Sequence, residues 1–467
     1  ERLLGIQPDN VRGLVLAGMI ATRTHSWARA EKHLTRAVQS DPHGVLPRRL
    51  LANVYLATGR PDRARSTLKP NLAAELRDTE SMALAARAEM ELGDMKAAES
   101  LYLQALSLTP EDPQLRSAAA LMRISQGKAE QGYAELAAVA AADPGVVGDL
   151  ALIGAATSRR DYARALGAVD RLQQKLANDP SVPALRGRIL LEQGSQAAAK
   201  AQFERALAMD PKYFPAAEAL ALLSIGAGQP AEAQKRFTQL LQADPSNVPA
   251  LLALAQIRAA AKAPTDEVVG ILNRAGSASP LDPRPRVQLI QFLLQAGQAK
   301  RALAAAQEAA ALLPEDLDVL DGLGAAQLAS HELQQAKSTF AQLASLAPKS
   351  ELPHLRLSDV YLNDGQEAEA LKALNRALEI RPDSRLAQAK LISLHVRARR
   401  WDEAIAVARS MQKAEPDDAA GWVAEGEIEV KRQREDAAIA AFKTGVTKKQ
   451  PYPAPARYFL ALTSADK

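Results

Sequence analysis

"PALRGRILLEQGSQAAAKAQFERALAMDP", residues 183–211, holds two helical patterns around a glycine. The first run closes at Gly194, and glycine suits the left-handed position that ends a helix. The second run places Ala199, Phe203 and Ala206 at helical spacing and stops at Asp210-Pro211. Proline cannot continue a helix, and its fixed φ suits the entry of the next one. The stretch therefore predicts a helix, a turn, a second helix and a stop.

The stop recurs along the whole chain. Pro8, Pro42, Pro110, Pro144, Pro180, Pro211, Pro245, Pro280, Pro314, Pro348, Pro382, Pro416 and Pro451 step at or near 34 residues, with one proline missing near Leu76. Asp-Pro is repeated at Asp41-Pro42, Asp143-Pro144, Asp179-Pro180 and Asp244-Pro245, so Asp210 reads as punctuation and not as an active-site acid. The same small and large residues return in other units: Gly228, Ala233 and Phe237; Gly93, Ala98, Tyr102 and Ala105; Gly365, Ala370, Leu374 and Ala377. Small Ala lets paired helices approach closely. Phe203, Phe237, Phe340 and Phe442 are expected to fill the gaps left between units. A single unit cannot bury its apolar face, so neighbours must stack.

This pattern resembles the tetratricopeptide repeat, and the resemblance covers essentially the whole chain. It implies an all-α solenoid of about thirteen helix-turn-helix repeats forming a right-handed superhelix. The first helix of each repeat would line a concave binding groove. Residues 1–8 then read as the end of a preceding repeat, 9–179 as repeats 1–5, 180–451 as repeats 6–13, and 452–467 as the first helix of a truncated repeat. Three units depart from the pattern and are expected to bend the stack. The second has Pro70 inside its second helix, the fifth has a longer second helix, and the eighth carries "KAPTDEVV" at its turn.

Composition agrees with helix. Apolar residues make up 47 % and aromatics only 4 %, with Ala and Leu prominent, and these two lose little entropy in a helix. There is no cysteine, hence no disulfide, thiol nucleophile or cysteine metal site. No stretch approaches the ~18 uninterrupted apolar residues of a membrane span. The chain starts at Glu1 without Met, in what reads as the end of a helix. A longer protein is therefore expected, with any targeting signal outside this segment. Net charge is +4, and the excess lies from Arg385 onward, where 15 Lys/Arg face 11 Asp/Glu. "VRARRW" (396–401) and "KRQR" (431–434) each have acids close behind. They read as solvated faces, so no nucleic-acid partner is expected.

A search for chemistry finds no catalytic, cofactor-binding or metal-binding constellation. His25, His33, His43, His331, His354 and His395 form no i, i+4 ligand pair. Gly322-Leu323-Gly324 lacks the third glycine of a dinucleotide fingerprint. Trp27, Trp401 and Trp422 stand where the repeat carries large packing residues. Arg49 and Asn53 imitate the start of the clamp by which some tetratricopeptide domains hold acidic chaperone tails. Leu84, Gln114 and Ala118 break it. The candidate concave-groove contacts are Arg49, Asn53, Arg87, Arg188, Gln256, Gln291, Asp359, Ser393 and Glu427. Their signs are mixed, which suits a ligand with spaced polar groups.

The repeat does not require Tyr213, Phe214 or Pro215 in "DPKYFPAAEAL" (210–220); their rings are expected to plug the junction of the sixth and seventh units. The longer segment that it opens, 210–259, with "EVVGILNRA" (267–275), "RVQLIQFLLQAGQAKRALAAAQEA" (286–309) and "WVAEGEIEVKRQREDAAIAAF" (422–442), resembles the tetratricopeptide lipoproteins of bacterial exosortase/PEP-CTERM exopolysaccharide systems. The resemblance implies a non-catalytic scaffold in the bacterial periplasm or cell envelope. Its partners would be proteins, among them exopolysaccharide export or sorting components. Membrane association would come only through a lipid anchor outside this segment. The competing readings are a cytosolic protein-interaction adaptor and the binding arm of a larger enzyme.

Overall fold

The computed structural model describes residues 2–23, 26–72, 78–448 and Leu460. Among them are 27 α-helices, one short 3-10 helix and no strand. The chain divides after Pro245 into two units. In the first, Arg2–Ile6 precedes seven helix pairs, from Val11–Arg23 with Trp27–Ser40 to Phe214–Gly226 with Pro230–Ala243. In the second, six pairs run from Val248–Ala260 with Thr265–Ala278 to Ala420–Lys431 with Glu435–Val446. Each unit is thus an all-α solenoid of stacked pairs, thirteen pairs in all among the described residues.

The turn inside a pair is a Schellman cap. At Gly194, φ is +86°. The Gly194 N–H donates to the Leu191 carbonyl at 2.9 Å and the Ser195 N–H to Leu190 at 2.8 Å, which satisfies two carbonyls left open at the helix end. Lys262 stands in the glycine's place at the "KAPTDEVV" turn and adopts φ +54°. It keeps the same two bonds, Lys262 N–H to Ala259 and Ala263 N–H to Arg258, both 3.0 Å. The turn itself therefore keeps its geometry without glycine, a side chain being held in the left-handed region with both cap hydrogen bonds retained.

Between pairs, aspartate does two jobs. The Asp210 N–H bonds back to Ala206, closing Gln196–Met209. Its Oδ1 accepts the Lys212 N–H at 2.9 Å. Asp143 and Asp179 accept the Gly145 and Ser181 N–H groups in the same way, each at 2.8 Å. Side-chain acceptance from two residues on is the Asx turn, so the punctuation has a geometric cause.

The other two irregular units differ from their sequence reading. The fifth unit's second helix, Tyr162–Lys175, has the 14 residues found in Gln196–Met209 and Pro230–Ala243. Its extra residues lengthen the connection up to Ser181. In the second unit the α-helix Pro61–Leu68 stops before Pro70, and Lys69–Leu72 tightens into a 3-10 turn. Proline has no N–H to donate and its ring clashes with the preceding turn. The truncated helix expected in 452–467 lies outside the described residues apart from Leu460.

Core packing sets Phe203, Phe340 and Phe442 against a glycine of their own pair. A Cβ on Gly187 would stand 2.7 Å from Cε1 of Phe203; Gly324 and Gly426 meet Phe340 and Phe442 at 2.5 and 2.4 Å. Each ring packs against the first helix because glycine leaves room for it. Phe203 also shares a cluster with Ala216 and Leu220 of the following pair, so it serves both the pair and the junction.

Candidate functional site

The first helices of three successive pairs, Val147–Ser158, Ser181–Glu192 and Phe214–Gly226, border a groove of about 970 Å³. Its floor includes the buried Leu172 and Phe203 of the second helices. Its walls are apolar, with Leu150, Leu185, Leu222 and Leu223 prominent. Leu150 is 47 % and Leu222 62 % exposed, so these side chains coat a surface and are not core. The helix carrying Leu222 reads "FPAAEALALLSIG". Apart from Glu218 and Ser224 it is apolar, whereas a surface helix normally has a whole polar face. That was the legible signal for this site, and it was missed in the sequence.

The polar groups of the groove are few: Ser181, Arg188, Gln196, Tyr213 and Glu218. Arg188 and Glu218 have no ion-pair partner among the described residues. Burial pushes the Tyr213 phenol above its usual value, and nearby Asp179 adds to this against the pull of Arg188. Tyr213 therefore remains a neutral hydrogen-bonding group. Tyr213 and Pro215 line the groove. Phe214 instead stacks on Phe237, with ring centroids 6.0 Å apart, inside the seventh pair. The expected junction plug is thus split, because successive residues at a helix start point in different directions.

The wall carrying Leu150 is held by an ion pair whose carboxylate is buried. Lys175 Nζ lies 2.7 Å from Oδ2 of Asp149, a side chain with no solvent exposure. The same ammonium donates to the carbonyls of Ala140, Asp143 and Gly145 at 2.8, 2.8 and 2.9 Å. It thereby neutralises the negative end of Ala129–Ala142 as well.

Of the residues expected in the groove, Arg188 lies in the one just described. Gln256 and Gln291 meet in a second pocket of about 190 Å³ in the other unit, with Gln288 and Gln295 beside them. The remainder are dispersed on first helices. Arg49 is paired with Asp78 and Glu80, and Arg87 with Glu91. Asp359 is half-buried and paired with Lys390, next to a second cross-pair bridge, Arg356 to Asp321 at 2.7 Å. Asn53, Ser393 and Glu427 are exposed. Among the described residues, no group of three or more His, Asp or Glu could hold a metal ion. No helix among them is long and apolar enough to cross a membrane.

A family model described as tetratricopeptide repeat matches residues 22–88, 224–291, 327–393 and 361–428. A second model of that description matches 79–112 and 184–213. No curated protein matches the chain. Among solved structures, yeast Tom70 is 14 % identical over 90 % of this chain and 95 % of its own, with a TM-score of 0.41. The APC/C hetero-tetramer Cut9-Hcn1 gives 14 % over 98 % and 97 %, with a TM-score of 0.33. Naa15/Naa10 bound to HypK-THB gives 15 % over 98 % and 79 %, with a TM-score of 0.31. The family models cover more than half of the 467 residues, and the helix pairs carry the matching turn and packing residues: the chain belongs to the tetratricopeptide repeat family.

Proposed function

We propose that this chain is a non-catalytic scaffold that binds a protein partner on the first-helix face of its repeats. The observation that carries the reading is the apolar groove bordered by Leu150, Leu185 and Leu222. Exposed leucines at this density cost solubility unless something covers them. The titratable groups around the groove support binding over chemistry: Arg188 and Glu218 stand as single charges, and Lys175 and Asp149 neutralise one another.

Within that reading we place the protein in a bacterial exopolysaccharide/PEP-CTERM sorting system, as a lipid-anchored component of the periplasm or cell envelope. The support is the resemblance of the segments 210–259, 267–275, 286–309 and 422–442. Its partners are then components of the export or sorting machine. A photoreactive side chain replacing Leu222 tests both levels in whole cells, with one replacing the exposed Lys200 on a second helix as the control. Cross-links from position 222 to envelope export or sorting proteins are the expected result. Equal cross-linking from 200 would sink the groove. Exclusively cytosolic partners would sink the pathway.

A further inference from the structure

The groove between residues 146 and 226 says more about its occupant than that it is a protein. We infer that it takes an amphipathic α-helix of the partner, apolar face down, with an acidic residue on one edge for Arg188 and a basic residue on the other for Glu218. This deepens the scaffold reading and rests on it.

Three observations select that occupant. The first is size. About 970 Å³ lies at the top of the range for a small-molecule pocket. Three first helices border it, and even helices in direct contact stand ~8–10 Å apart, so its span is at least ~20 Å. An α-helix covers that distance in ~13 residues at ~1.5 Å each.

The second is the poverty of polar groups. An extended peptide would press its N–H and C=O groups against Leu150, Leu185, Leu222 and Leu223. Each unpaired group would cost ~1–3 kcal/mol. The polar side chains of the groove are too few to serve six residues of extended backbone. A helix satisfies its own backbone and offers only side chains, so the apolar wall penalises one form and not the other.

The third is charge. Arg188 and Glu218 have opposite sign and neither has an ion-pair partner among the described residues. A fatty acid or anionic lipid could answer Arg188 but would be repelled by Glu218. A helix with Glu on one flank of its leucine stripe and Lys on the other answers both, and the opposite charges set its direction in the groove.

The test uses the full chain and a synthetic probe of about 15 residues, stapled on its polar face. It carries Leu at i, i+3, i+4 and i+7, Glu along one edge and Lys along the other. Binding is read by fluorescence anisotropy. The expected result is at least tenfold tighter binding than that of a scrambled peptide of equal composition or one with a central proline. Leu222→Glu should lose at least tenfold. Arg188→Glu should weaken binding several-fold and recover it with a probe whose Glu edge is replaced by Lys. Both side chains are exposed, and matched helical circular dichroism checks that the variants fold. No binding, equal binding of the proline peptide, indifference to Leu222→Glu, or displacement by dodecanoate at similar concentration would each overturn the inference. If binding survives Leu222→Glu but is lost in Gln291→Glu, this groove is wrong while the scaffold reading stands on the other pocket.

Discussion

Lys175 Nζ sits 2.7 Å from a carboxylate oxygen of Asp149 that water does not reach. The pair fixes the helix that carries Leu150, so the groove wall depends on it. Breaking a buried pair from one side leaves an uncompensated charge, at a cost of ~3–5 kcal/mol. Lys175→Met should therefore destabilise the chain by that order and speed amide exchange in residues 147–158. Arg171 Nε, 3.5 Å from Asp149, offers only weak compensation. The double variant Asp149→Leu with Lys175→Met should regain much of the loss. Equal losses in single and double variants, read from urea midpoints, would refute this account.

Glycine to alanine should change sign with position. Gly187→Ala brings a methyl to 2.7 Å from the ring of Phe203, which is only 1 % exposed and cannot swing away. Overpacking of this kind costs ~1–3 kcal/mol, more than the ~1 kcal/mol of helix propensity gained. Gly154 also lies in a first helix, but nothing stands within 4 Å of its added Cβ. Gly154→Ala should stabilise by ~0.5–1 kcal/mol. Thermal melts of the two variants decide it; a gain at Gly187 would count against the ring-under-glycine packing.

Lys262 holds a left-handed turn with a side chain, which costs ~1–2 kcal/mol. Lys262→Gly removes that strain but adds freedom to the unfolded chain worth ~0.4–1 kcal/mol. A net gain of ~0.5–1 kcal/mol is expected. A lower urea midpoint in the variant would show that the Lys262 side chain contributes a contact of its own.

Stability should fall on mild acidification. Burial holds the His395 imidazole below its ordinary value; Arg400 adds to this, while Glu403 and Glu367 pull the other way. Its Nδ1 is buried without a hydrogen-bond partner, so a proton there would have no acceptor. His354 is lowered by burial and by Arg376, against Glu379. The unfolded chain then binds more protons than the folded one just below the ordinary histidine value of about 6.5. The contribution is present in full above that value and is lost as pH falls through it towards the folded values. Urea midpoints between pH 7.5 and 5.5 should drop more for the wild type than for His395→Gln. Equal slopes would remove His395 from the account.

Much of the local architecture was legible in residues 183–211 alone. Gly194 marked the cap, Asp210-Pro211 the stop, and Ala199, Phe203 and Ala206 helical spacing that proves to be a buried seam. These features are decided within one pair or between neighbours, and a 34-residue period repeats them often enough to be seen. The candidate site was only partly legible. Arg188, Gln256 and Gln291, read from helical spacing as facing one way, lie on first helices and line pockets. That Leu150, Leu185 and Leu222 join into one groove was not visible.

What the sequence by itself determined was the repeat: which residues cap, which pack and which end each helix, since those choices are local. What only the tertiary structure decided was the company each side chain keeps. Asp149 finds Lys175 across 26 residues, Asp359 finds Lys390 across 31, and Phe214 turns to Phe237 while Tyr213 turns to the groove. The reason is that the angle between successive pairs is set by small differences in packing. Those differences, and not the period, determine which exposed side chains converge.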